Sequence, residues 1–222
     1  MTLSDIIARF RRENPEVTDR VADDPVVKDW AFDADKEICA ITRCIVGDFT
    51  FDSVVTTTVY NTKYDLISKI PKFYDIDDYP GGGVSYDNDP LDKTSVAELD
   101  SEDKDWRTRS AGIPDKYYRR GQYLYFDYPI KTAEKEIRVY AVLISDDFTE
   151  DSQTPYNGLS YLEPYHPGIS EYLNWKAKTK IGKPGEAQLK RQQFLDYANW
   201  MKKQIGGNKY SPIYIKKSGA YS

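Results

Sequence analysis

Histidine is nearly absent from this chain and cysteine is scarce. There is one His, His166, and there are two Cys, Cys39 and Cys44. Ser-His-Asp or Cys-His chemistry would have to pass through that single imidazole, and a multi-His zinc site cannot be built. Two cysteines make no disulfide framework. No apolar run approaches the ~20 residues that cross a bilayer. The opening residues Met1-Thr2-Leu3-Ser4-Asp5 hold no basic segment followed by an apolar stretch, so no signal peptide and no membrane partner are expected. Internal repeats and low-complexity tracts are also missing.

Aromatic residues are plentiful. Among 222 residues there are 19 Tyr, 8 Phe and 4 Trp. Disordered chains lack such residues, so this one folds, as one domain or as one domain with an inserted subdomain. The net charge is −5, unevenly placed. Residues 1–175 hold 20 basic and 34 acidic side chains, whereas residues 176–222 hold 11 basic and only Glu186 and Asp196 as acids. Such polarity bears on partners rather than on fold. It describes either a basic end that docks on an acidic protein or nucleic acid, or a Lys-rich helix facing water.

Hydrophobic spacing predicts helices at both ends. Leu3, Ile6, Ile7 and Phe10 form one face over residues 3–13, with Thr2 or Ser4 as cap and Pro15 as terminator. The strongest pattern spans 25–46. Asp23 or Asp24 caps it, Pro25 opens it, and Gly47 stops it. Val27, Trp30, Ala34, Ile38, Ile41 and Ile45 make its apolar stripe and are the candidate subunit-packing residues. Within such a helix Cys39 and Cys44 lie about 140° apart and cannot bridge. Residues 168–179 (Ile169, Tyr172, Leu173, Ala177) and 185–205 (Ala187, Phe194, Ala198, Met201, Ile205) repeat the helical signal, with Gly206 as a stop.

Between the helical ends the period changes. Val54–Tyr60, Lys72–Tyr79, Val84–Tyr86, Tyr117–Arg120, Gln122–Tyr128 and Glu136–Ser145 read as strands, with a tight turn at Arg120-Gly121 and a short helix at Ser95–Trp106. The expected fold class is α+β. A helical bundle is formed by N-terminal helices (1–52) and C-terminal helices (151–206). An antiparallel β subdomain (53–150) is inserted between them, and an extended arm (207–222) follows. The arm carries Lys209, Tyr210, Ile213, Tyr214, Ile215, Lys216 and Lys217. It is too short to own a core, so it is either disordered or folds onto another chain.

Catalytic and ligand constellations do not emerge. Gly81-Gly82-Gly83 lacks the Lys of a phosphate loop, and Asp75, Asp77, Asp78 and Asp87 around it would repel phosphate; it reads as a hairpin tip. Asp87-Asn-Asp-Pro-Leu-Asp92 is dense in acids, but Pro90 and Leu91 break calcium-loop spacing. His166, in Pro164-Tyr165-His166-Pro167, reads as a capping or packing residue. Asp127 with Glu136 and Arg138 is a loose fit to a metal-nuclease pattern. No catalytic residue, metal or cofactor is expected.

Several stretches, in order, carry a resemblance. They are Asp24-Pro-Val-Val-Lys-Asp-Trp30 with Ala34 and Glu37-Ile38, then Val96-Ala-Glu-Leu-Asp100, Asp105-Trp106 and Ala111-Gly-Ile-Pro114. Gly121-Gln-Tyr-Leu-Tyr-Phe-Asp-Tyr-Pro129 and Ile137-Arg-Val-Tyr140 follow. Over about residues 3–205 the chain resembles the head-to-tail adaptor (neck, head-completion connector) proteins of tailed bacteriophages. The resemblance implies a non-enzymatic virion protein, made in the host cytoplasm, that forms a ring of typically twelve copies below the portal. It implies as partners the portal, neighbouring copies, a tail or nozzle protein, and genomic DNA passing without specific binding. It puts portal contacts on the arm and helix 185–205, with Lys202 and Lys203 among them. Two other readings stay open: a glycan- or ligand-binding module with the Tyr/Trp surface as platform, and an enzyme using acidic residues with a divalent metal.

Overall fold

The computed structural model describes residues 1–78 and 82–207. The fold is α+β, in two compact units: residues 1–45 with 144–207, and residues 46–143.

In the helical unit, α1 (Leu3–Glu13) starts at Thr2, whose hydroxyl accepts from the Asp5 N–H while the Asp5 carboxylate accepts from the Thr2 N–H. It buries Leu3, Ile6, Ile7 and Phe10. α2 (Asp24–Thr42) is capped by Asp23, which accepts from the Val26 N–H at 3.2 Å, and Pro25 sits in its first turn. Val27, Trp30, Ala34 and Ile38 are buried along it and Ile41 is half-buried.

α2 ends earlier than its periodicity predicts. Arg43 turns left-handed (φ 56°) and its N–H closes on the Cys39 carbonyl at 2.8 Å. Gly47 is therefore not the stop, and Ile45 is not on the helical stripe. Ile45 opens β1 (Ile45–Asp52), in which Ile45 and Gly47 are buried and the side chains alternate faces.

α5 (Pro167–Lys180) and α6 (Pro184–Gly207) form an antiparallel pair around a turn at Gly182, whose φ of 74° favours glycine. α6 runs two residues past the expected end. α5 also packs on α1 and α2, and α6 packs on α2. The buried Asn14 amide links α1 to α5 by donating to the Phe10 carbonyl and, at 2.6 Å, to Asn174 Oδ1.

The second unit is a mixed, mainly antiparallel sheet. It contains β1, β2 (Tyr64–Asp65), β3 (Phe73–Ile76), β4 (Val84–Tyr86), β5 (Asp89–Lys93), β6 (Lys116–Arg120), β7 (Tyr123–Phe126) and β8 (Glu136–Leu143). The order is β1-β8-β4-β5-β6-β7-β2, with β3 also on β8; β5 and β6 are parallel. α3 (Leu66–Lys69) follows β2, and α4 (Val96–Glu102) follows β5 with Ser95 and Glu98 in a capping box. The sheet closes on a core that includes Leu66, Ile76, Tyr117, Leu124, Phe126 and Val139.

Three expectations in this region change. Val54–Tyr60 is not a strand. Val54 and Val55 are exposed, and the backbone is tied individually, with the Thr56 N–H donating to the Ile130 carbonyl and the Val54 N–H to the Tyr64 hydroxyl. β-Propensity needs a neighbour to pair with, and this run has none. Residues 79–81 of the glycine-rich stretch lie outside the described residues, but the strands that flank it, β3 and β4, do not pair with each other as the arms of the expected hairpin would. β3 and β4 lie in line on β8, and between them Asp77 donates to, and Gly83 accepts from, the same residue, Tyr140. The Gly83 N–H donates to the Asp77 carbonyl at 2.6 Å. The actual hairpin turn is the acidic Asp87-Asn88, where both φ values are positive (51° and 73°) as a type I′ turn requires, and β5 follows it. The helix expected over Ser95–Trp106 is cut to α4, because the Trp106 indole is buried in a separate turn and donates to Asp100. The turn expected at Arg120-Gly121 is present, with Gly121 at φ 62°.

Candidate docking surface

α6 has two unlike faces. Ala187, Phe194, Ala198 and Met201 are buried, recurring at helical spacing. The opposite face, about 200° around from Ala187 at 100° per residue, carries Leu189, Gln192, Gln193, Asp196, Trp200 and Lys203, all exposed. Leu189 is 59% exposed and Trp200 45%. Leu189 and Trp200, set among Gln192, Gln193, Asp196 and Lys203, have the composition of interface anchors with a polar surround.

This face is held in place from beneath. Arg191 pairs in two-pronged fashion with Glu37 of α2 and lies over the Trp175 and Phe194 rings, 4.4 and 5.0 Å from their centroids. Lys190 pairs with Glu171 of α5 at 2.9 Å. The Trp200 ring leans on Tyr165 and Tyr197, with centroids 5.1 and 5.4 Å away, and the Tyr197 hydroxyl donates to the Pro164 carbonyl at 2.8 Å. α5 and α6 approach closely at Gly168, where a Cβ would meet the Tyr197 ring at 2.7 Å. Helix α6 is thus fixed along its inner side, while on its outer side Leu189 and nearly half of Trp200 stay open to solvent.

Lys202 and Lys203 sit exposed at the end of this helix. Lys209, Tyr210, Ile213, Tyr214, Ile215, Lys216 and Lys217 lie outside the described residues. Of the stripe on α2, Val27, Trp30, Ala34 and Ile38 face the interior of their own helical unit, and Ile45 has moved to β1. Sequence reading missed Leu189 and Trp200. Their spacing of eleven residues, three helical turns, off the buried stripe was the signal that could have found them.

Asp127, Asp78, Asp35 and His166 have structural roles. Asp127 accepts from the Asp115 and Lys116 N–H groups and pairs with Arg109 at 3.1 Å, which anchors the approach to β6. Asp78 binds Lys93 and the Tyr117 hydroxyl. Among the described residues, no group of three or more His, Cys, Asp or Glu could hold a metal. In the helical unit Asp35 is fully buried, accepting from the Tyr156 N–H at 3.2 Å and from Ser145; burial pushes its carboxyl up to about 7. His166, also fully buried, precedes α5 and has no side-chain hydrogen bond among the described residues; burial pushes its imidazole down to about 4. It packs, as expected, against Tyr156.

The model of the SU10 adaptor protein family matches residues 1–213. The chain belongs to that family. It is a phage head-to-tail adaptor family, so this adaptor has a structural role and is a component of the virion neck. No curated protein matches the chain. None of the adaptor's described helices is long and apolar enough to cross a membrane.

Proposed function

We propose that this adaptor forms a ring, of twelve copies, that docks on the portal and links capsid to tail while DNA passes through. The observation that carries this reading is the outer face of α6. Leu189 and Trp200 stand exposed on a helix braced along its whole inner side, and Lys202, Lys203 and the cationic arm continue directly from it. Buried aromatic and aliphatic anchors supply affinity at interfaces, and flanking charges supply orientation and association rate. Portal contacts fall on this face and on Lys209, Tyr210, Ile213, Tyr214, Ile215, Lys216 and Lys217, whose alternating apolar residues suit addition to a partner as an extended segment. The excess of acids over residues 1–175 suits a channel that must not hold phosphate tightly. The remaining partners are neighbouring copies and a tail or nozzle protein.

Two variants test the docking surface. The double substitution Leu189→Glu/Trp200→Glu and a chain ending at Gly207 are mixed with the portal protein of the same phage and followed by sedimentation velocity. Both are expected to keep the wild-type circular dichroism spectrum and to bind the portal at least about tenfold more weakly, the effect of losing ~1.4 kcal/mol. Unchanged portal binding by both variants would refute the assignment.

A further inference from the structure

The early end of α2 places two thiols together. Because Arg43 turns left-handed, Cys44 folds back over the last turn of the helix, and its Sγ comes to 3.8 Å from Cys39 Sγ. A continuous helix would hold these side chains apart. The arrangement is pinned on both sides of the turn: the Arg43 N–H donates to the Cys39 carbonyl at 2.8 Å, and the Tyr161 hydroxyl donates to the Cys44 carbonyl at 3.0 Å. Both cysteines are free, both are buried, and the chain has no third one to compete.

We propose that Cys39 and Cys44 are a modification site, a dithiol that a small peroxide oxidant converts to an intrachain disulfide. Bonding at about 2.05 Å asks each sulfur to move by about 0.9 Å, a side-chain rotation rather than a refolding. Cys44, the slightly more accessible thiol, attacks hydrogen peroxide; its S–O bond forms as the O–O bond breaks, giving a sulfenic acid and water. The Cys39 sulfur then displaces that hydroxyl, the S–S bond forms, and the thiol proton leaves with it as a second water. Two thiols and one peroxide become one disulfide and two waters. The reaction is slow, because the neighbouring Cys44 sulfur and burial push the Cys39 thiol well above its ordinary range and thiolate is scarce. The same burial shields the finished bond from larger thiols. A dithiol during synthesis and a disulfide after exposure to an oxidising medium would suit a neck component, although the chemistry does not depend on that reading.

The test uses the whole chain, purified reduced, freed of reductant and incubated with hydrogen peroxide. It is then unfolded in guanidinium with N-ethylmaleimide and weighed intact. The expected result is a monomer about 2 Da lighter, with no maleimide adduct, while Cys39→Ser and Cys44→Ser cannot lose that mass. Two adducts per chain, a disulfide-linked dimer, or a product carrying added oxygen on separate sulfurs would overturn the proposal.

Discussion

Replacing Phe194 with alanine is expected to destabilise the helical unit by about 3–5 kcal/mol, the usual range for a fully buried Phe. The ring is completely covered. It meets Tyr172 of α5 edge-on with centroids 5.0 Å apart, and the Arg191 guanidinium lies over it. No smaller side chain can fill that space without α6 sinking toward α5, and the helices are already in close approach at Gly168. For a chain of this length the thermal midpoint should fall by roughly 10 °C. Leu189→Ala, on the exposed face, should change stability by less than about 0.5 kcal/mol. Urea unfolding followed by circular dichroism compares the two. Equal effects would mean that α6 does not pack as described.

Asp35 and His166 are expected to oppose each other in pH dependence. The Asp35 carboxyl is raised, so its contribution to stability is full below about pH 4 and is lost as pH rises to about 7. The His166 imidazole is lowered, so its contribution is full above about pH 6.5 and is lost as pH falls to about 4. At ~1.36 kcal/mol per pH unit, the swings reach about 4 and about 3 kcal/mol, and over roughly pH 4–6.5 their slopes cancel. Tyr156, packed on both, stays neutral throughout because burial raises its hydroxyl. Wild-type stability should therefore vary little between pH 5 and 6.5. Asp35→Asn should unmask stability that rises with pH, and His166→Leu should unmask stability that falls with pH. Unfolding free energies at pH 5, 6 and 7 for the three proteins measure this. Variants with the wild-type slope would contradict the assignment of these groups.

Much of the fold could be read from periodicity joined to capping chemistry. Thr2, and Asp23 with Pro25, mark helix starts that the structure keeps. β3, β4, β7 and β8 sit within the runs expected to be strands, and β6 begins one residue before its run. What escaped depends on pairing or on unusual backbone. β1 was hidden because Ile45 also continues a helical spacing, and only the left-handed Arg43 decides between the two. β5 contains Asp89 and Pro90, residues poor in strands, and becomes one because β4 and β6 flank it. Val54–Tyr60 has the reverse history, with strong propensity and no partner strand.

The candidate docking surface was half legible. Charge segregation pointed to the C-terminal end of the chain, and Lys202 and Lys203 are exposed there. Leu189 and Trp200 were invisible to a search for buried stripes, because their importance lies in being left out of one. The Cys39–Cys44 pair was dismissed on helical geometry that is sound for a continuous helix and void once the helix ends at Thr42.

A reconstruction of the assembled portal–adaptor complex tests the central claim most directly. The account predicts a closed ring of adaptor copies on the portal, with Leu189 and Trp200 of each copy buried against portal side chains. A complex in which the outer face of α6 remains in solvent, while portal contacts come from residues 46–143, would contradict it.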